Sequence, residues 1–205
     1  MDGSRYFARP VPSLSYTDGT VTIRRQHAAD LEADRAAKDD EQIDWMWLPG
    51  QRNAWKAMTP AEQRAHALRG LQANHDSFGA GPKWTFAVDA DSTPFVAYVD
   101  ADLANPVAPA GEANLSYSCH PDYRGKGYVS RAVQLIQRFL TDHTAARRAH
   151  LVIDQSNKAS LRVARLLGAA ECERFVNERG CVIIDTFSTS PQPGSAQANQ
   201  IVPFR

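Results

Sequence analysis

The sequence lacks nearly every mark of an exported, membrane-spanning or strongly charged protein. Its 205 residues include only three cysteines, Cys119, Cys172 and Cys181, with no Cys-x-x-Cys pair and no histidines clustered beside them. Three thiols so spaced make neither a disulfide framework nor a metal site; small buried apolar side chains are the simpler account of all three. No apolar run approaches the roughly 18 residues a membrane helix needs. The first 20 residues hold no apolar core of the signal-peptide kind, because Arg5, Arg9, Pro10 and Pro12 interrupt each short hydrophobic stretch. A cytoplasmic protein with no membrane partner is the expectation. Net charge is absent too: 23 Lys and Arg balance 23 Asp and Glu. Without a whole-molecule basic field, nucleic acid is not an expected partner.

What is present is an ordinary globular balance, 43% hydrophobic and 22% charged, over a length that fits one domain with tails. Residues 1–19, with Gly3, Pro10, Pro12 and Gly19 and no sustained period, read as an extended N-terminal arm. Residues 188–205 carry Pro191, Pro193, Gly194 and Pro203 among Ser, Gln and Asn, the composition of a tail. Its end, Ile201-Val202-Pro203-Phe204, is apolar enough to dock on the body or on a second copy, which leaves a homodimer open. The domain proper is then 20–187.

Strand and helix signals alternate through that domain. β-branched or alternating runs at 21–23, 83–89, 94–100, 113–119, 151–153, 172–176 and 181–187 read as strands, with turns at Asp89–Ser92 and Asn177–Gly180. Residues 28–37 favour a helix, and Asp44–Gly50 is an aromatic stretch ending in a Pro-Gly turn signal. Thr59-Pro60-Ala61-Glu62 starts a helix running to about Asn74, with Thr as cap, Pro in first position and Glu three residues on. A stripe of Val129, Ala132, Val133, Leu135, Ile136, Phe139 and Leu140 marks another, and Lys158–Leu167 a third that ends at Gly168. The class is mixed α/β: a sheet of six or seven strands layered by helices.

Chemistry concentrates in His120-Pro121-Asp122-Tyr123-Arg124-Gly125-Lys126-Gly127-Tyr128-Val129. A strand ends, a glycine-containing loop follows, and an amphipathic helix starts within it. The first turn of such a helix offers unpaired N–H groups and the positive end of its dipole. Gly125 and Gly127 leave room for a phosphate, and Arg124 and Lys126 add charge. A Rossmann fingerprint would need a glycine at Ser130, and a Walker A loop would need Ser or Thr after Lys126; neither holds. Local charge agrees: between Asp122 and Arg165 nine Lys and Arg face three Asp.

Together with Asn157-x-x-Ser160 and Leu167-Gly168-Ala169, this loop resembles the GCN5-related N-acetyltransferase superfamily, and Asp44–Pro49 with the Pro60 helix resembles its RimJ/RimL-like branch. The resemblance implies a twisted mixed sheet in which two neighbouring parallel strands, 113–119 and 149–154, splay to hold acetyl-CoA. It implies that Arg124, Gly125, Lys126, Gly127, Tyr128 and Val129 surround the pyrophosphate, with Val129 standing where the family usually has Gly or Ala. Ser118 and Cys119 would offer main-chain bonds to the pantetheine arm, Asn157 would contact the cofactor, and Lys126, Lys158 and Arg162 are candidates for its 3′-phosphate. No metal is implied.

The implied activity is acetyl transfer to a primary amine, either a small metabolite or antibiotic or a protein N-terminus. The tyrosine that many members carry seven residues after the asparagine is Ala164 here. In the RimJ/RimL-like branch a serine takes its place as proton donor to the thiolate, and Ser160 matches it. Where a relative often has a basic Glu, this chain has Asn114; Glu112, two residues earlier on the same face, is the candidate base acting through water, with Asp154 and His120 as others. Trp45 and Trp47 are candidate walls of the acceptor pocket, and seven acids between 30 and 44 against Arg35 and Lys38 would attract a cationic amine. A non-catalytic acyl-CoA-binding module or sensor is the alternative from another class; modification of aminoacyl-tRNA is disfavoured by the neutral charge.

Overall fold

The computed structural model describes residues 15–47, 49–176 and 183–189. The expected turn at 177–180, Cys181, and most of the expected arm and tail lie outside them. In chain order the elements are β1 (Ser15–Thr17), β2 (Val21–Arg25), α1 (Leu31–Ala36), α2 (Asp40–Met46), α3 (Pro49–Ala57), α4 (Pro60–Ser77), β3 (Lys83–Ala90), β4 (Thr93–Asp102), β5 (Glu112–Cys119), α5 (Tyr128–His143), β6 (Arg148–Asp154), α6 (Lys158–Leu166), β7 (Ala170–Val176) and β8 (Ile183–Thr189). The strands form one mixed sheet in the order β1-β2-β3-β4-β5-β6-β8-β7. Among the described residues, no helix is long and apolar enough to cross a membrane.

Several local features follow directly from the residues. Thr59 and Glu62 form the expected capping box: Thr59 Oγ1 accepts the Glu62 N–H at 3.3 Å and Glu62 Oε2 accepts the Thr59 N–H at 2.7 Å. The β3–β4 hairpin turns on Asp91 (φ 49°) and Ser92 (φ 65°), the left-handed pair that a two-residue turn between twisted strands requires. Two features differ from the sequence reading. Pro49-Gly50 opens helix α3 rather than making a turn, because proline in the first helical position gives up no hydrogen bond. Ser15–Thr17, inside the stretch expected to be an extended arm, adds an eighth strand. One aromatic anchors it: the Tyr16 hydroxyl donates to Asp142 Oδ2 at 2.9 Å and its ring meets Phe139 edge-on.

Helix α5 covers one face of the sheet. Its stripe buries Ala132, Val133, Ile136 and Phe139 against β2–β5, with the Phe139 ring 5.3 Å from Trp84 and 5.0 Å from Phe86. The opposite face carries a smaller cluster of Ala37, Ala87 and Phe95 with Ala33 and Tyr98, which brings in the α1 segment. On this side the Tyr98 hydroxyl reaches Met46 Sδ at 3.3 Å, so α2 lies over β4.

The junction of β5 and β6 positions the site. They are the parallel pair, and they pair only over Glu112↔Arg148, Ala113↔Ala149 and Asn114↔His150. Beyond Asn114 they part. Each keeps a full ladder on its other side, β5 with β4 through Cys119 and β6 with β8 through Asp154. The splay therefore leaves backbone polar groups unpaired only along the two inner edges, where a ligand can satisfy them.

Candidate acyl-transfer site

A cleft of about 1250 Å³ opens between the diverging strands. Asn114–Cys119 of β5 form one wall, Leu151–Asp154 of β6 the other, the start of α5 closes one end, and α2 and α6 flank it. The α5 end is built for an anion. Gly125 (φ 78°) and Gly127 (φ 81°) both take the left-handed conformation that turns the chain into the helix. A Cβ on Gly127 would meet no protein atom, so it is the backbone angle, not packing, that favours glycine there. Gly127 is the cap of α5, and the first intrahelical bond runs from Arg131 N–H to Gly127 C=O. The N–H groups of Tyr128, Val129 and Ser130 thus have no intrahelical acceptor, and all three residues line the cleft. The Val129 side chain packs against the core and also lines the cleft.

Arg124 also lines the cleft, but its guanidinium is committed elsewhere. It donates to Asp39 Oδ1 at 2.8 Å, to Glu41 Oε2 at 2.6 Å and to the Cys119 carbonyl at 3.3 Å. Although burial opposes it, hydrogen bonding by Arg124 and the Gln42 N–H holds the Asp39 carboxyl below the ordinary carboxylate range. The loop is thereby tied to the start of α2. Lys126 does not line the cleft; its Nζ sits 4.9 Å above the Tyr123 ring. Lys158 Nζ donates to the Gln155 carbonyl at 2.8 Å, and of the three cations considered for a 3′-phosphate it is Arg162 that lines the cleft.

Midway along the cleft, Asn157 caps α6, its Oδ1 accepting the Ser160 N–H at 3.0 Å. This places Ser160 in the first turn, facing the cleft. Tyr117, read from the sequence only as part of the apolar face of β5, also lines the cleft and its hydroxyl donates to the Ser160 carbonyl at 3.4 Å. Burial pushes the Tyr117 phenol up to about 12, so it stays protonated. Ala164 is fully buried in the core beneath α6. Burial likewise pushes the Cys119 thiol up to about 11. Main chain and side chain of Ser118 are buried along the same wall.

The remaining expected residues divide. Trp45 lines the cleft beside Gln42 and Met46, whereas Trp47 lies outside it, edge-on to Trp55 at 5.2 Å. Glu112 does not line the cleft. It sits where β5 and β6 are still paired, its carboxylate 3.4 Å from Nδ1 of buried His150. Asp154 lines the cleft, but its Oδ1 accepts both the Ser156 N–H and hydroxyl, at 2.7 and 2.6 Å. His120 Nδ1 accepts the Asp122 N–H. Each acid of 30–44 has a cationic partner: Asp30 with Arg24, Glu32 with Arg35 and Arg64, Asp34 with Lys38, Asp39 and Glu41 with Arg124, Asp40 with Lys56, Asp44 with Arg52. The charge excess seen in the sequence is an ion-paired lattice, not a free acidic field.

Residues 20–170 match the family described as the acetyltransferase (GNAT) domain, and the chain belongs to that family. Solved structures share its fold at low identity. The microcin C7 self-immunity acetyltransferase MccE, solved with acetyl-CoA and AMP, is 15% identical with a TM-score of 0.64, over 88% of this chain and 97% of that one. RimL, the ribosomal L7/L12 α-N-protein acetyltransferase, is 13% identical with a TM-score of 0.66, over 89% and 99%. RimJ from Mycobacterium smegmatis, solved with a CoA disulfide, is 16% identical with a TM-score of 0.65, over 92% and 89%. No curated protein matches in sequence.

Proposed function

We propose that the protein transfers the acetyl group of acetyl-CoA directly to a primary amine bound under α2, either a small amine metabolite or antibiotic or a protein N-terminus. The observation that carries this is the β5–β6 splay with the start of α5 at its mouth. Pyrophosphate would sit on the N–H groups of residues 128–130, with Gly125 and Gly127 giving it room, and Arg162, which also lines the cleft, is the candidate for the 3′-phosphate. Pantetheine would lie along Ser118 and Cys119, adding hydrogen bonds to the inner edge of β5 as a strand would. Asn157, with its Oδ1 used as the cap, has its amide N–H groups for a cofactor carbonyl. Arg124 and Lys126 stabilise the loop rather than the phosphate.

Transfer requires the amine lone pair to attack the thioester carbon, a C–N bond to form as the C–S bond breaks, and a proton to reach the departing sulfur. Ser160, in the first turn of α6 and lining the cleft, would supply that proton. Burial pushes the Cys119 thiol up, which works against the thiolate that a covalent acetyl intermediate would need and favours direct transfer. The test follows coenzyme A thiol release from acetyl-CoA with a pool of small amines and, separately, a pool of peptides with free N-termini. Release with one pool identifies the acceptor class. Tight acetyl-CoA binding with no release from either would establish the binding-module alternative instead.

A further inference from the structure

The transfer just proposed also needs somewhere for the amine's proton to go, and none of the acids named so far is free to take it at the acceptor side. Glu112 lies outside the cleft against His150, and Asp154 Oδ1 is engaged by Ser156. The other strand face supplies a different arrangement. Asn114, Ser116 and Ser118 alternate on the side of β5 that faces away from α5, and all three line the cleft. Asn114 Oδ1 and Ser118 Oγ are buried with no hydrogen-bond partner among the described residues, which marks this row as built for a polar ligand. Alternate strand positions stand about 7 Å apart, so only one of the three can meet a given amine nitrogen.

Ser116 is the one backed by a carboxylate. It lies directly across the sheet from Asp100 of β4, and its hydroxyl donates to Asp100 Oδ1. Asp100 is 5% exposed and does not itself reach the cleft; its Oδ2 is held by Lys83 Nζ at 3.1 Å from β3. Tyr98, next along the same face of β4, contacts Met46 of α2, and Met46 and Trp45 wall the cleft on that side. Ser116 therefore opens toward the acceptor compartment while Asp100 stays dry behind it.

We propose that Ser116 and Asp100 form the proton outlet of the reaction. As the C–N bond forms, the nitrogen passes a proton to Ser116 Oγ, and the Ser116 proton moves to Asp100 Oδ1. The thiolate released on the other side takes its proton from Ser160, which regains one from solvent, and Asp100 returns the amine's proton through Ser116 to solvent after products leave, so the protons taken up and released balance. Ser116 is the catalytic member; Asp100 is a positioning residue that acts through it. The inference rests on the amine-transfer reading and fixes the side from which the amine must enter.

The experiment measures kcat, KM and solvent deuterium isotope effects on the full chain with an amine that the wild type acetylates, together with acetyl-CoA Kd and Tm. Ser116→Ala and Asp100→Asn should each lower kcat about 100-fold with acetyl-CoA Kd unchanged, and the double variant should be no worse than either single one, as for groups acting as a unit. Ser116→Thr should restore most of the rate, and the isotope effect should shrink in Ser116→Ala. Because Asp100 is buried and paired, Asp100→Asn can lose stability; Ser116→Ala leaves the Lys83–Asp100 pair intact and decides the matter alone. Wild-type kcat in Ser116→Ala, or a 100-fold loss confined to Glu112→Gln, overturns the outlet. A wild type that binds acetyl-CoA but acetylates no amine overturns the amine reading, and this inference with it.

Discussion

The two halves of the cleft are built on different physics. The half proposed for the cofactor is made of backbone: a loop with two left-handed glycines, three N–H groups at a helix start, and the bare inner edge of a strand. The acceptor half is made of side chains brought together from α2, β4 and β5. A backbone cradle needs its residues contiguous in sequence, because it is one turn of chain. A side-chain cluster needs only tertiary proximity, so beyond the aromatic Trp45 little in the sequence marks it. The difference predicts that substitutions in the cofactor half act on binding and those in the acceptor half on turnover, with Ser160 on the boundary.

Ser160 gives the largest expected effect and the sharpest break of that division. Ser160→Ala should reduce kcat about 100- to 1000-fold while acetyl-CoA affinity stays within twofold, the signature of a proton donor used only in the transition state. Stopped kinetics alongside calorimetric titration of coenzyme A separate the two. Loss of affinity alone would move Ser160 into the cofactor half. Retained turnover would shift the donor role toward Tyr117, whose hydroxyl already lies against the Ser160 carbonyl, and Tyr117→Phe would then show the loss.

Gly127 tests the cradle itself. With φ at 81° and no atom near its Cβ, Gly127→Ala carries only backbone strain of about 1–2 kcal/mol. Gly127→Asp adds a like charge at the point where the phosphate would sit, and should weaken coenzyme A about 10- to 100-fold while Tm falls no more than in the alanine variant. Equal affinity in the two variants would show that the α5 start does not hold the anion.

The same contrast explains what could be read in advance. Most strands and helix α5 were legible because alternation and a three-four apolar spacing are local patterns, and the loop before α5 because Arg124–Val129 is contiguous; the sheet order, set by pairings between distant strands, was not. Asp100 and Ser116 carry no motif; they meet only through the β4–β5 register. Strand β1 was hidden because one tyrosine, through Asp142 and Phe139, does the anchoring that a strand pattern would otherwise announce. The acids of 30–44 misled for a related reason: charge counted along the chain omits Arg24, Arg52, Lys56, Arg64 and Arg124, which arrive from other elements.

A smaller effect joins the two halves. Arg124 links the loop before α5 to the start of α2 through Asp39 and Glu41, and the tie to Asp39 is the one with a titration signature. Because the Asp39 carboxyl is held below its ordinary range in the folded chain, its contribution is complete above that range and is lost as pH falls through the depressed value. Wild type should exceed Asp39→Asn in stability by no more than about 1 kcal/mol at neutral pH, since the pair is partly solvated. The two Tm curves should converge on acidification. Curves that stay parallel to low pH would mean that the tie carries no electrostatic stability.

The smallest effect belongs to the acids at the α2 surface, and it decides whether the acceptor half attracts its substrate by field or by contact. Seven carboxylates in 30–44 meet seven cations, so an approaching amine experiences short-range dipoles rather than a monopole, and these fade within a Debye length of about 8–10 Å. Asp40 and Asp44 pair with Lys56 and Arg52 at 2.9 and 2.7 Å on exposed side chains. Replacing both by asparagine should change KM for a cationic amine by less than about twofold at physiological salt, and stability by less than about 1 kcal/mol. A several-fold rise in KM that disappears at high salt would restore long-range steering to these acids. It would also mean that the ion pairs at the α2 surface open before the amine arrives, leaving the acceptor half governed by charge and only its last few ångströms by Ser116, Met46 and Trp45.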